Sequence, residues 1–115
     1  MNKEIIILGA GESGIGAALL AKKKGFDVFV SDKGIISLEA KEELTLNNIP
    51  FEEGTHSEER ILNGVEVVKS PGISDNAPII KALHKKGIPV ISEIEFAGRY
   101  SKAFKIGITD RKSVV

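Results

Sequence analysis

A glycine-rich segment that directly follows a short apolar run constrains this chain more than any other feature. The run Ile5–Leu8 is continuously apolar, which is typical of a strand covered on both faces. Residues Gly9–Gly14 fit the pattern Gly-x-Gly-x-x-Gly, and a helix-period segment with Ile15, Ala18 and Leu19 on one face follows. Such glycines permit a tight turn and a close approach of a pyrophosphate to the backbone. The segment predicts either a phosphate-binding loop at a helix N-terminus or a tight turn that binds no ligand.

An aspartate follows this loop at a distance that dinucleotide-binding folds use. Asp32 lies 18 residues after Gly14, at the predicted end of the second strand. An acid about 20 residues after the loop accepts hydrogen bonds from ribose hydroxyls in such folds. Aspartate also stabilises turns and caps, so the position alone leaves both roles open. The first 32 residues by themselves favour an NAD-binding domain.

The rest of the chain alternates short β-rich runs with helix-period segments. The predicted strands are Ile5–Leu8, Val28–Val30, a short run around Phe51, Val65–Lys69, a run at Val90 and Ile91, and Phe104–Thr109. The predicted helices begin after the glycine loop, after the capping residues Ser37, Ser57 and Asn76, and at Glu93. This alternation gives right-handed βαβ units. We predict an α/β, Rossmann-like open parallel sheet with helices on both faces.

Two polar segments follow later strands, at the edge where open α/β sheets hold their ligands. Ser70-Pro71-Gly72 comes directly after the fourth strand, and Ser92–Phe96 comes after the fifth. A proline followed by glycine presents backbone amides without an obstructing side chain, although the same triplet also forms ordinary turns. Glu93 and Glu95 are placed to interact with the dipole of the helix that they begin.

The composition excludes several other classes of protein. Sixteen basic and sixteen acidic residues give a formal net charge of zero, which argues against nucleic-acid binding. The absence of cysteine excludes a disulfide framework, a thiolate nucleophile and a cysteine-based zinc site. The run Ile5–Leu8 is much shorter than the roughly 20 residues that cross a bilayer. We therefore expect a cytosolic protein without membrane association.

The sequence shows no constellation of catalytic or metal-binding residues. His56 and His84 lie on segments expected at the surface, without a serine or carboxylate arrangement that suggests catalysis. The acidic residues lack the spacing of a metal site; they include Glu42, Glu43, Glu52, Glu53, Glu58 and Glu59. We predict no catalytic residue and no metal ligand in this chain.

Taken together, the motifs resemble the N-terminal domain of the Mur ligase family, and most closely the branch that adds D-glutamate. The resemblance covers almost the whole chain. Its less specific parts, the loop Gly9–Gly14 and Asp32, are shared with many folds. Its more specific parts are Val68–Ser74 and Gly87–Glu95, and Ile106–Thr109 also matches.

The resemblance implies that this domain holds the UDP part of the substrate UDP-N-acetylmuramoyl-L-alanine. By position, the glycine loop would meet the diphosphate, the segment after the second strand would recognise the uridine, and the serine–proline–glycine segment would close over the nucleotide sugar. The residues so assigned are Gly11, Glu12, Ser13 and Gly14, then Asp32, Lys33 and Gly34, and finally Ser70, Pro71 and Gly72. Lys33 can supply charge, whereas Gly34 gives the uracil no planar surface for stacking.

The resemblance also implies a three-domain cytosolic enzyme of peptidoglycan synthesis, whose second domain binds ATP and magnesium. Family members continue from a strand like Phe104–Thr109 into an ATP phosphate loop, but Asp110–Val115 lacks the glycines that such a loop needs. We therefore expect residues 1–97 to form the UDP-sugar-binding domain and residues 98–115 to be a linker and first strand of an absent ATP-binding domain. The chain alone is expected to bind without catalysing and without a cofactor.

The C-terminal strand raises the question of association. A strand without its sheet exposes an unpaired edge, so we expect residues beyond about Tyr100 to be disordered or buried in a homodimer contact. Two alternatives to the UDP-binding interpretation remain open: an NAD(H)-binding regulatory or sensing domain, and a structural Rossmann-like fragment without a ligand. Only the UDP-binding interpretation accounts for Ser70-Pro71-Gly72.

Overall fold

The structure is a computed structural model that describes residues 4–100, and it contains a five-stranded parallel sheet. The strands are β1 (Glu4–Leu8), β2 (Asp27–Asp32), β3 (Phe51–Glu53), β4 (Glu66–Lys69) and β5 (Val90–Ser92). The helices are α1 (Glu12–Lys23), α2 (Leu38–Leu46), α3 (Glu58–Ile61), α4 (Pro78–Lys86) and α5 (Glu93–Tyr100). The strand order is β3-β2-β1-β4-β5, and all neighbouring strands are parallel. The predicted Rossmann-like open sheet is confirmed.

β1 occupies the centre of the sheet, as its continuously apolar sequence predicts. Ile7 pairs with Val30 of β2 on one side and with Val68 of β4 on the other. The chain builds outward from β1 to β3 and then returns to add β4 and β5 on the opposite side. Open α/β sheets bind ligands outside the carboxyl ends of the strands where the order reverses in this way. The topology thus places a crevice beside the end of β1.

Successive residues of β1 pack against helices on opposite faces of the sheet. One face is covered by α1, α2 and α5, and the other by α3 and α4. Buried on the first face are Ile5, Ile7, Ala18, Leu44 and Phe96. Buried on the second face are Ile6, Leu8, Ile61, Ile80 and Leu83. The prediction of helices on both faces is therefore confirmed.

Helix starts follow the predicted capping residues at α2 but not at α4. Ser37 caps α2, because its Oγ accepts a hydrogen bond from the Ala40 N–H at 3.1 Å. The prediction that Asn76 caps α4 is wrong by one residue, since the N-cap is Ala77. The Asn76 N–H instead donates to Ser74 Oγ in the preceding turn. The proline in the first turn of α4 needs no acceptor, which reduces the need for a capping side chain.

A reciprocal pair of hydrogen bonds begins α5. The Glu95 N–H donates to Ser92 Oγ at 3.0 Å, and the Ser92 N–H donates to Glu95 Oε1 at 3.3 Å. This arrangement is a capping box, which satisfies two backbone donors that a helix start leaves without partners. Glu95 therefore supports α5 through a direct bond as well as through the helix dipole.

Several predictions fall beyond the part of the chain that the structure describes. The strand Phe104–Thr109, the atypical tail and the homodimer contact all lie outside residues 4–100. Within those residues, no helix combines the length and the apolar character needed to cross a membrane.

Candidate functional site

The glycine loop joins β1 to α1 through a turn that requires glycine at two positions. Gly9 has a φ of 104°, a conformation that residues with side chains rarely adopt. Its N–H donates to the Ser31 carbonyl oxygen at 2.9 Å, which fastens the loop to β2. A Cβ on Gly14 would overlap the Gly9 carbonyl oxygen, so α1 packs directly on the end of β1. The first N–H groups of α1 lack acceptors within the helix and are suited to bind an anion.

Asp32 connects the glycine loop to the segment that follows β2. Its Oδ2 accepts a hydrogen bond from the Ala10 N–H at 2.8 Å, and its Oδ1 accepts one from the Gly34 N–H at 2.8 Å. A carboxylate oxygen has a second lone pair, so each oxygen can also accept a bond from a ligand hydroxyl. Asp32 therefore shapes the site as well as lining it.

The segment after β4 packs against the glycine loop. The Ser70 N–H donates to the Leu8 carbonyl oxygen at 3.0 Å, and a Cβ on Gly9 would lie only 2.6 Å from the Ser70 Cβ. Lys69 Nζ donates to the Ile73 carbonyl oxygen at 2.7 Å, which closes the segment into a turn. Because these contacts come from both β1 and β4, the two loops form one continuous surface.

A cavity of about 570 Å³ opens where the loops after β1, β2 and β4 meet. Five predicted site residues line it: Gly11, Asp32, Lys33, Ser70 and Gly72. Other lining residues come from the segment that leads into α3 and from the start of α4; they are Thr55, His56, Glu58, Ala77, Pro78 and Ile79. No sequence motif assigns this second set of residues to the site.

The remaining predicted site residues lie around the cavity rather than on its wall. Glu12 is exposed and lines a groove between α1 and α2, whereas Ser13 lines another groove between α1 and α5. Gly14 is buried against Gly9, and Pro71 is exposed at the rim. Gly34 contributes the N–H that binds Asp32. A contribution of residues 12–14 to ligand binding would therefore come from backbone amides.

A hydrogen-bonded group beside Asp32, here called the Ser31 cluster, consists of Ser31, Glu52, His56 and Ser57. Ser31 Oγ lies 2.7 Å from Glu52 Oε2 and 2.6 Å from His56 Nδ1. The Ser57 N–H donates to Glu52 Oε2 at 2.6 Å, and Ser57 Oγ donates to Glu52 Oε1. Ser57 precedes α3 as predicted, but its side chain holds Glu52 instead of capping the helix.

The expectation that His56 lies on a surface segment, outside any arrangement of serine and carboxylate side chains, is wrong. Its ring is half-buried within the Ser31 cluster, whereas His84 is exposed as expected. Burial lowers the pKa of His56 below its ordinary value, an effect that the nearby charge of Glu52 only partly opposes. Burial alone would raise the pKa of Glu52, but hydrogen bonds from Ser57 and Ser31 hold that pKa below its ordinary range. At neutral pH the cluster thus pairs a neutral imidazole with an ionised carboxylate.

Comparison with known proteins decides the family. A family model described as the MurD N-terminal domain matches residues 4–79, which include every predicted site residue. The chain belongs to this family. The resemblance on which the sequence analysis relied is therefore confirmed.

Curated relatives of this MurD N-terminal domain include two UDP-N-acetylmuramoylalanine--D-glutamate ligases. That of Bacteroides thetaiotaomicron is 60% identical over 107 residues, which are 93% of this chain and 24% of the relative. That of Porphyromonas gingivalis is 58% identical over 109 residues, which are 95% of this chain and 24% of the relative. The chain therefore spans 24% of the length of these relatives.

The fold has a close counterpart among solved structures. A UDP-N-acetylmuramate:L-alanyl-gamma-D-glutamyl-meso-diaminopimelate ligase from Neisseria meningitides matches with a TM-score of 0.73 and 21% identity. The match covers 87% of this chain and 31% of that one. The MurD N-terminal domain thus shares its Rossmann-like fold with this ligase.

Glu93 is a buried acid between α5 and the glycine loop of this MurD N-terminal domain. It is only 8% exposed, and its Oε2 lies 3.3 Å from the position that a Cβ on Gly14 would take. Burial raises the pKa of Glu93, and the charge of Lys69 opposes that rise only in part. The folded protein therefore binds the Glu93 proton more tightly than the unfolded chain does.

We expect the substitution Glu93→Gln to remove a pH-dependent loss of stability. The folded-state pKa of Glu93 lies above the ordinary value of 4.5. Protonated Glu93 therefore contributes its full stabilisation below pH 4.5, and this stabilisation is lost as the pH rises through the folded-state pKa. The variant should therefore gain stability relative to the wild type between pH 4.5 and 7. Urea unfolding across this range measures the difference, with Glu42→Gln on the exposed surface of α2 as control. A constant difference between Glu93→Gln and the wild type would contradict the prediction.

Proposed function

We propose that the cavity at the carboxyl ends of β1, β2 and β4 binds the UDP part of a nucleotide sugar. The observation that carries the proposal is the convergence of three loops on one cavity of about 570 Å³. The first turn of α1 supplies backbone donors suited to the diphosphate. Asp32 supplies acceptors for hydroxyl groups, and Lys33 supplies a positive charge at the same wall. Ser70 and Gly72 form the side on which the sugar would lie.

The family supports a more specific substrate. The two curated relatives described above are named UDP-N-acetylmuramoylalanine--D-glutamate ligases. We propose that this chain is the substrate-binding N-terminal part of such a ligase, that its substrate is UDP-N-acetylmuramoyl-L-alanine, and that it acts in cytoplasmic peptidoglycan synthesis. The intact enzyme would join D-glutamate to the carboxyl group of that substrate. The role of residues 4–100 is then to hold and orient the nucleotide.

The intact ligase would use ATP and magnesium, which supply the phosphoryl group and the charge neutralisation needed to activate a carboxylate. Within residues 4–100, no group of three or more histidine, aspartate or glutamate side chains is placed to hold a metal ion. The described residues therefore do not fit a magnesium site. We assign no step of the reaction to them beyond binding the nucleotide sugar.

A titration of the 115-residue chain tests this proposal. We expect UDP and UDP-N-acetylmuramoyl-L-alanine to shift the amide resonances of Gly11, Lys33 and Gly72 in two-dimensional NMR spectra. NADH and ATP, added in parallel, separate recognition of UDP from general affinity for nucleotides. A response to NADH without a response to either UDP compound would favour an NAD(H)-binding domain and overturn the proposal. Resonance shifts confined to the grooves beside Glu12 and Ser13 would place the ligand elsewhere.

A further inference from the structure

The Ser31 cluster holds one ring nitrogen of His56, and His56 also lines the cavity. His56 Nδ1 lies 2.6 Å from Ser31 Oγ, and Ser31 is fully buried within β2. Among the described residues, no hydrogen-bond partner reaches the other ring nitrogen, Nε2. Since His56 also lines the cavity, Nε2 is the polar atom that its ring offers to a ligand.

Hydrogen-bond accounting in the cluster determines which ring nitrogen carries the proton. Ser31 has one hydroxyl proton, and its Oγ lies 2.7 Å from a Glu52 oxygen that can only accept when ionised. The Thr55 carbonyl oxygen, which also can only accept, lies farther from Ser31 Oγ, at 3.2 Å. If Ser31 donated to His56 Nδ1 instead, the contact between Ser31 and Glu52 would join two acceptors with no proton between them. Both short contacts are satisfied when Ser31 donates to Glu52 and His56 Nδ1–H donates to Ser31. A neutral His56 then carries a lone pair on Nε2.

We propose that His56 Nε2 accepts a hydrogen bond from the nucleoside of the bound nucleotide, and that Ser31 and Glu52 act as positioning residues that fix this tautomer. The inference rests on the proposed function and adds a residue to its site. The ligand group must be a donor, which in a uridine nucleotide means a ribose hydroxyl or the single ring N–H. Asp32 lines the same cavity, so the two residues together favour a ligand rich in donors.

The charges around His56 are consistent with a neutral acceptor at this position. Glu52 of β3 and Asp32 at the end of β2 raise the pKa of His56, and Lys33 lowers it, but burial has the largest effect and lowers it. Glu58 at the start of α3 lines the same cavity. With the ring neutral at pH 7.5, Nε2 accepts a hydrogen bond instead of donating one.

Nitrogen-15 NMR of the imidazole side chains tests the tautomer in the wild-type chain without a ligand. At pH 7.5, we expect His56 to show a protonated Nδ1 and an unprotonated Nε2. His84, which is exposed on α4, serves as an internal reference in the same spectrum. Ser31→Ala should abolish the preference at His56 without changing His84. A His56 ring protonated at Nε2 in the wild type would overturn the inference.

A matched pair of variants tests the contact with the ligand. His56→Asn keeps a donor near Ser31 and removes the acceptor at the cavity, so we expect about a fivefold weaker affinity for UDP. His56→Gln can place an amide oxygen near the position of Nε2 and should retain most of the affinity. His84→Asn should bind UDP like the wild type. Wild-type affinity in His56→Asn would contradict the role of His56 while leaving the proposed function intact.

UDP analogues identify the ligand group that His56 contacts. If His56 accepts from a ribose hydroxyl, either 2′-deoxy-UDP or 3′-deoxy-UDP should bind the wild type more weakly than UDP and should bind the wild type and His56→Asn equally. If it accepts from the base, 3-methyl-UDP should show that pattern. Weakening of all three analogues by the same factor in the wild type and in His56→Asn would contradict a direct contact. Absence of any UDP binding by the wild type would instead overturn the proposed function, and the contact with it.

Discussion

Replacing Gly14 with alanine is expected to lower the free energy of unfolding by about 3 kcal/mol, at the upper end of what overpacking costs. The added Cβ would overlap the Gly9 carbonyl oxygen and would lie 3.0 Å from the Gly9 carbonyl carbon. Backbone atoms cannot rotate away as a flexible side chain can. Gly9 is itself held by a hydrogen bond to the Ser31 carbonyl oxygen and by contact with Ser70, so α1 would have to move as a whole.

Gly16 provides the matched control for this substitution. It lies two residues further along α1, is exposed, and has no atom within 4 Å of the position that a Cβ would take. Gly16→Ala should raise the free energy of unfolding by about 0.5–1 kcal/mol through the better helix propensity of alanine. Urea unfolding of both variants measures the contrast. If Gly14→Ala were as stable as Gly16→Ala, the close packing of α1 on β1 would be wrong.

The sheet could be predicted from the sequence because its strands carry a strong and local signal. Ile5–Leu8 is apolar at every position, and only a central strand buries both of its faces. The predicted helix start at Glu93 matches the start of α5, because Ser92 and Glu95 form a capping box within four residues. Signals of this kind depend only on residues that are close in the sequence, so they can be recognised without knowledge of the tertiary structure.

The side-chain partners at the helix starts were less predictable. Ser57 has the residue type and position of an N-cap, but its hydroxyl donates to Glu52. Asn76 likewise is a favourable capping residue, yet the N-cap of α4 is the next residue, Ala77. In both cases a tertiary or turn contact competes with the local one, and residue type does not reveal which contact is more stable.

In the candidate site too, residues recognisable from local sequence were predicted, whereas those brought together by the tertiary structure were not. The loop Gly9–Gly14 and Asp32 were found from spacing, because the loop and the following strand lie close in sequence. His56 was missed because its contacts depend on the register of β3 against β2, which pairs Ser31 with Glu52. No spacing rule connects residues 31, 52 and 56 before that pairing is known. The one available signal in the sequence was Ser31, a polar residue directly before Asp32 at the end of a predicted buried strand.

Substitution of Asp32 with alanine is expected to weaken both the fold and the binding of UDP. Two backbone N–H groups, those of Ala10 and Gly34, donate to its carboxylate at 2.8 Å. Loss of the bonds to this charged acceptor should lower the free energy of unfolding by about 2 kcal/mol. Loss of the contact with the ligand should weaken the binding of UDP by on the order of 1–3 kcal/mol. Asp27, at the opposite end of β2, is exposed, so Asp27→Ala is the control for both measurements.

Asp32→Asn separates the two roles of the aspartate. The amide oxygen can still accept from one of the two backbone donors, but the amide nitrogen then faces the other N–H. We therefore expect a stability between those of Asp32→Ala and the wild type. Urea unfolding gives the stability of each variant, and titration with UDP gives its affinity. Wild-type stability in Asp32→Ala would contradict its role in holding the loop, and wild-type affinity in a folded Asp32→Ala would remove this aspartate from the UDP site.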